Sequence, residues 1–390
     1  MISSGWRFRI IYCVDDLVDV TTYIIDCETL RCLQLIGPTK LLADDDSFRN
    51  TFAAAQRYVG QLGPDNHTII VDKNGDLVKL TSENVTMEIR YPKYTGTMDK
   101  HQVIRRSELT EVDRFDNFVD LVEYNSSDGE TKKERAFFKY TLNQNWIKRV
   151  WEDLHIHKAL QGNEHFVPFH RIVIDDVTEN ILGFTYKSLS GSSLYDYQGV
   201  FNFCWLKQMT DAVDELNLRY GVLHLDICPH NFLIDHTRNE VKLRDFSMVV
   251  KIGEQPTAPL TDVDSLIVWV YQTLTGDRQF VDKSLHQAAV SKIEEMAEWK
   301  LQRPIEDGFD ISDYRKYLKD WSGTRRATQA TSHSCEVPEP LSWPEYPEPQ
   351  LPTSNRGYGP SGRTRAEAEE AGDYVTRWER PAQREMATSN

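Results

Sequence analysis

The chain has 390 residues, 40% of them hydrophobic, and a formal net charge of -15 from 45 Lys and Arg against 60 Asp and Glu. That length exceeds an ordinary single domain, and the apolar content is enough to bury a core. The excess of acid argues against nucleic acid as a partner, because affinity for a phosphate backbone comes from Lys and Arg displacing counterions. Six cysteines without a Cys-x-x-Cys or framework spacing read as reduced thiols of a cytoplasmic or nuclear protein. The apolar run at 8–14 is too short to span a bilayer and is broken by Asp15 and Asp16, so no membrane association is expected.

The first hundred residues read as a small β-rich module. FRIIYCV, TTYIIDC and RCLQLIG have strand character, DSFRNTFAAAQRYVGQL has helical spacing, and HTIIVD and GDLVKL flank a turn at 73–75. FVDLVEY and ERAFFKYTL follow as strands joined by the polar turn NSSDGETKK. A helix is predicted over about 145–160, with Ile147, Val150, Trp151 and Leu154 on its core stripe. Glu152 lies one turn before apolar Ile156 on that helix, and Asp153 points elsewhere on the wheel. His155 and His157 diverge on the helix and read as surface histidines. FVPFHRIVID and ILGFTYKSL are two further strands, and 205–220 is an amphipathic helix with Leu206, Met209, Ala212, Val213 and Leu216 inward.

The stretch 220–250, YGVLHLDICPHNFLIDHTRNEVKLRDFSMVV, carries the chemistry. It combines His224-x-Asp226 with Asn231 and a second acid, Asp245, that closes a short apolar run. Pro229 stiffens the loop from Asp226 to Asn231, and a hairpin through 235–239 returns VKLRDF so that Asp245 comes back to the same place. Phosphoryl transfer needs one carboxylate beside the attacking hydroxyl and oxygen ligands for Mg²⁺ beside the triphosphate.

In this order and spacing these residues resemble the catalytic and metal-binding loops of the protein-kinase-like superfamily. The resemblance covers roughly 101–321, and within that span the chain is similar to divergent kinase-like proteins of filamentous fungi. It implies an α+β, bilobal protein-kinase-like fold with a β-rich N-lobe and a mostly helical C-lobe, and ATP and Mg²⁺ as cofactors. The organisation expected is a β-rich N-terminal module at 1–100, a small lobe at 101–190, a large lobe at 191–321 and a tail at 322–390. Eight prolines between Val337 and Pro381 mark that tail as mostly disordered.

By the same resemblance Asp226 accepts or orients the proton of the acceptor hydroxyl, and Asn231 and Asp245 ligate Mg²⁺. Lys139 holds the α- and β-phosphates and pairs with Glu152. Tyr186 is the gatekeeper, the backbone of Lys187 to Leu189 reads adenine, and Leu233 lies beneath it. His224 braces the loop, and Asp262 opens a buried helix and caps the loop from behind.

Several positions depart from the family pattern. RRSELTEVDRFDNFV has no glycine where a phosphate-covering loop belongs, and Phe137 stands two residues before Lys139 where a small side chain is usual. Leu225, Cys228 and Ser247 replace an Arg, a Lys and a Gly. Only SMVVKIGEQPTAPLT separates Phe246 from Asp262, with no Ala-Pro-Glu, as in phosphotransferases of small molecules. The function expected is transfer of the γ-phosphate of ATP to a Ser or Thr of a protein. The alternatives are a small-molecule kinase similar to aminoglycoside and choline phosphotransferases, and a pseudokinase scaffold.

Overall fold

The computed structural model describes residues 7–15, 18–42, 47–83, 86–96, 102–125, 133–189, 191–254, 261–280, 286–327, 333–348 and 363–383. The fold is α+β. The chain divides into two compact units, one made of Met1–Lys148, Arg171–Thr185 and Tyr346–Asn390, the other of Arg149–His170 and Tyr186–Glu345.

In the first unit, β1 (Phe8–Asp15), β2 (Asp19–Asp26) and β3 (Arg31–Pro38) form an antiparallel meander. Two helices, α1 (Thr39–Leu42) and α2 (Ser47–Tyr58), make the crossover that a parallel neighbour requires, and β4 (Thr68–Val71) then pairs parallel with β3. The strand β5 (Leu77–Thr81) completes the five-stranded sheet. Its core is Val20, Ile24, Leu35, Ile69 and Val71 against Ala54, Ala55 and Tyr58 of α2, so the period-2 stripe of the strands meets the 3.6-period stripe of the helix.

The second sheet comprises β6 (Val103–Arg105), β7 (Thr110–Asp116), β8 (Val119–Asn125), β9 (Lys133–Tyr140), β10 (Phe169–Ile174) and β11 (Ile181–Lys187), in the order β6-β10-β11-β9-β8-β7. The glycine-free segment expected to be a loop thus supplies β7, joined to β8 by a two-residue turn at Asn117 and Phe118. The polar turn expected after β8 lies outside the described residues at 126–132. One core joins this sheet to the N-terminal one: Ile25, Cys27 and Leu30 pack with Val122, Phe138, Tyr140 and Leu182.

The helix α3 (Gln144–Ala159) carries the chain across the division. In the second unit follow α4 (Phe203–Asp214), extended by a π turn over Glu215–Arg219, then β12 (Val222–Leu223), the hairpin of β13 (Phe232–Asp235) and β14 (Glu240–Leu243), and β15 (Val250–Lys251), which pairs with β12. The helices α5 (Asp262–Thr275), α6 (His286–Glu295) and α7 (Ile311–Ala327) complete it. Buried Leu266, Ile267, Val268 and Val270 put α5 at the centre of this core, with Trp205 and Leu206 of α4 and Tyr314 and Leu318 of α7 around it. Among the described residues no helix is long and apolar enough to cross a membrane.

The expectation of disorder beyond 322 is corrected wherever that stretch is described. The helix α7 continues through fully buried Ser322 to Ala327. In the second unit Leu341 is buried and its N–H bonds to Tyr220 O, while Lys251 lies 4.9 Å from the centre of the Trp343 ring. In the first unit α8 (Arg365–Glu370) is capped by Thr364, and Trp378 is buried, stacked on Tyr140 at 4.7 Å with Arg106 4.1 Å from its ring centre. Arg380 reaches Glu111 at 2.7 Å and Asp120 at 2.6 Å and donates to the carbonyls of Cys27 and Glu28. Arg114, its side chain fully buried, bonds Glu28 and Glu111 at 2.7 Å each and donates to Pro381 O. The segment carries few apolar residues, but they are spaced to anchor extended chain, and its backbone polar groups are met by neighbouring loops. Residues 349–362 and 384–390 lie outside the described residues.

All six cysteines are free; Cys13 and Cys335 are exposed and Cys27 is buried, with burial pushing its thiol up to about 12. Iodoacetamide at pH 8 is expected to alkylate Cys13 and Cys335 in the native protein and Cys27 only after denaturation, read by peptide mass spectrometry. Replacing Trp378 by Ala empties the centre of an aromatic cluster and is expected to cost about 3–5 kcal/mol, seen as a lowered urea midpoint; Trp378→Phe should recover most of it.

Candidate functional site

The site is built in the second unit by the chain from α4 to α5. The π turn after α4 places Asn217, whose amide donates to Val222 O and to Asp262 Oδ2, both at 2.9 Å. Gly221, at φ +70, turns the chain where a Cβ would lie 2.7 Å from Ser334 O, so only glycine fits. After β12 the backbone enters the loop through Leu225 at φ +58, a left-handed conformation that costs a leucine energy.

Asp262, 1% exposed at the first position of α5, holds that conformation. Its Oδ2 accepts the His224 N–H at 2.7 Å and its Oδ1 the Leu225 N–H at 2.9 Å. The His224 ring is fully buried: Nδ1 accepts the Asp226 N–H at 3.3 Å, so Nε2 carries the proton and donates to Arg244 O at 3.1 Å. His224 therefore joins the two halves of the motif as a brace.

Pro229, His230 and Asn231 form a 3-10 turn. The Asn231 amide nitrogen donates to Asp226 O at 2.8 Å and to Asp226 Oδ2 at 2.9 Å, and the Asn231 carbonyl receives the Arg244 N–H at 2.9 Å. Asp226, Asn231 and the residue before Asp245 are thus linked by consecutive hydrogen bonds. Asp245 sits at φ +64, and its Oδ1 accepts from Ser247 Oγ at 2.6 Å and Ser247 N at 3.2 Å. Phe246 is buried against His157, Phe166 and His224.

The acid of α3 tied to this segment is Asp153. It is fully buried and accepts the Phe246 N–H at 2.9 Å, whereas Glu152 is only half-buried. His157, expected on the surface, is 1% exposed; its Nε2 lies 3.5 Å from Asp153, its Nδ1 3.2 Å from Val167 O, and its ring stacks on Tyr186. The face of α3 buried here runs through Val150, Asp153, Leu154 and His157, and Trp151, expected in the core, is partly exposed with its indole N–H on Pro344 O. The wheel misplaced this face because two of its members are polar. The segment's end is also anchored by Arg149, which donates to Ser247 O at 3.1 Å.

The remaining expected residues fall as follows. Tyr186 is buried and its hydroxyl accepts from Arg244 at 2.8 Å; Arg244 was not singled out in the sequence. Lys187 donates its N–H to Pro168 O and Leu189 accepts from Gly191 N. Leu233 is buried on β13. In the first unit Lys139 lies on β9 with a buried ammonium, and Gly183 lets β11 approach it, since a Cβ there would lie 2.1 Å from Lys139 O.

Among the described residues no group of three or more His, Cys, Asp or Glu is arranged to hold a metal. Of the expected metal ligands, Asn231 has its amide nitrogen committed to Asp226, which leaves its side-chain oxygen as the atom able to act as a ligand. In comparison with known proteins, no family model matches the chain, and no curated protein matches it.

Truncating Asp262 to Ala leaves two loop N–H groups and the Asn217 amide without their acceptor. The expected loss is about 3 kcal/mol or more in urea unfolding, with Asp262→Asn intermediate because one acceptor oxygen remains.

Proposed function

We propose that the chain is an ATP- and Mg²⁺-dependent phosphotransferase of the protein-kinase-like superfamily, with its bilobal fold, acting on a Ser or Thr hydroxyl of a protein. The observation that carries this reading is the Asn231 side-chain amide, which donates to the Asp226 carboxylate while the Asn231 backbone carbonyl anchors the residue before Asp245. That bond turns a carboxylate and an amide toward each other on one loop, with the segment leading to Asp245 hydrogen-bonded to the same residue.

On this reading Asp226 orients the acceptor hydroxyl and takes up its proton, Asn231 and Asp245 hold Mg²⁺, and Lys139 meets the α- and β-phosphates. The bound metal supplies neutralisation of the charge on the transferring phosphoryl group. Glu152 keeps the role of partner to Lys139, and Asp153 steadies the segment that carries Asp245 by accepting the Phe246 N–H. Of the hinge groups, the Lys187 carbonyl and the Leu189 N–H are left to read adenine, because the Lys187 N–H and the Leu189 carbonyl are bonded within the chain.

A second reading, a scaffold with weak nucleotide binding, draws on the first unit. The turn at 117–118 has no glycine and is flanked by Asp113 and Asp116, whose charges oppose a polyphosphate. Phe137, on the same face of β9 as Lys139, packs against Phe115 at 4.7 Å.

Thermal melts with millimolar MgATP separate the two, since a ligand of the folded state raises the midpoint by mass action. A rise is expected, followed by phosphate transfer to generic protein substrates that Asp226→Asn lowers by about 10²–10⁴-fold. Absence of any shift would leave the scaffold reading, and binding without protein phosphorylation would favour a small-molecule acceptor. Activity that survives Asp226→Asn would remove the assigned base.

A further inference from the structure

The second unit contains a cavity of about 290 Å³ away from the Asp226 loop, walled by α5, α6, α7 and the chain between the last two. Its floor is Ile267, Ile293, Trp299 and Leu318, none more than 4% exposed. Along one wall α7 presents Arg315, Lys316 and Lys319. Arg315 lies 5.6 Å from the Trp299 ring centre and donates to the carbonyls of Met296 and Ala297, which fixes its charge at the wall without a carboxylate. Lys316 and Lys319 are exposed and ion-pair with none of the described residues. The acid of the lining, Glu294, is bound to Arg326 at 3.0 Å.

An apolar hollow with three cations at its wall stands out in a chain of net charge -15. A dry cavity of about 150 Å³ takes up benzene, so this one has room for a two-ring aromatic or a short alkyl chain. We propose that it binds a small amphiphilic anion, with an apolar body on the Trp299 floor and a carboxylate, sulfonate or phosphate against Lys316 and Lys319. The site does not depend on the phosphotransfer reading.

Titration calorimetry of the full chain tests this with three probes sharing one ring system: naphthalene-2-sulfonate, neutral 2-naphthalenemethanol and cationic 2-naphthylmethylammonium. The sulfonate is expected to bind at least tenfold tighter than the alcohol, with the ammonium weakest, and its affinity should fall as salt rises. Lys316→Glu combined with Lys319→Glu changes only exposed positions and should lower sulfonate affinity at least tenfold at an unchanged thermal midpoint. Ile293→Phe, which fills the hollow, should remove binding of sulfonate and alcohol alike; if that variant unfolds, the lysine pair decides. No heat at millimolar sulfonate, equal affinity for the three probes, or affinity indifferent to the lysine pair would overturn the proposal.

Discussion

The carboxylate of Asp262 is the constraint on which the second unit's loop depends. It takes the N–H groups of His224 and Leu225 and the amide of Asn217, three donors of which the first and last belong to buried residues. A carboxylate in the first turn of a helix is also favoured by the helix dipole. The helix that presents it is held by apolar burial on nearly every side, with Leu266, Val268, Val270 and Leu274 fully buried. Hydrophobic packing of α5 therefore fixes a polar clamp, and the clamp offsets the roughly 1–3 kcal/mol of strain in a left-handed Leu225. From there His224 is aimed at Arg244 O, and the backbone reaches Asp245 in its own left-handed turn.

The first unit solves a different problem. Two sheets must share one core although neither covers the other's apolar face fully, and the C-terminal segment closes it. Trp378 fills the space beside Phe138, Tyr140 and Tyr91, while Arg380 spans from the β7–β8 hairpin to the carbonyls that follow β2. Burial works against the Arg380 charge, but the Tyr140, Asp120 and Glu111 groups outweigh it and hold the guanidinium more firmly protonated. Removing one member of such a network would leave another charge buried without compensation, which is why buried ion clusters are costly to break.

How far the sequence was legible follows from the kind of signal each feature leaves. Strands such as FRIIYCV and the hairpin around 235–239 write their period and turn residues directly into the chain, and they form close to where expected. His224, Asp226 and Asn231 could be singled out as polar types recurring at close intervals in an otherwise apolar stretch, and hydrogen bonds join them. Asp153 and His157 could not, since a buried polar pair on α3 reads as solvent-facing in any pattern of apolar residues. The ordered C-terminal stretch was hidden for a related reason: extended chain pinned by single side chains such as Leu341 and Trp378 has no period, and its prolines mimic the composition of disorder.

Ser247 shows how a departure from the expected pattern can be a different solution of the same physical task. A glycine at this position would bring backbone freedom, yet the left-handed residue in the segment is Asp245, and 247 needs no such freedom. The serine instead donates both its hydroxyl and its N–H to Asp245 Oδ1, while Arg149 fixes its carbonyl and Asp153 fixes the N–H of Phe246. These bonds hold the backbone of 246 and 247 in place and tie the Asp245 carboxylate to Ser247. Such a segment gains preorganisation and loses the capacity to swing between alternatives.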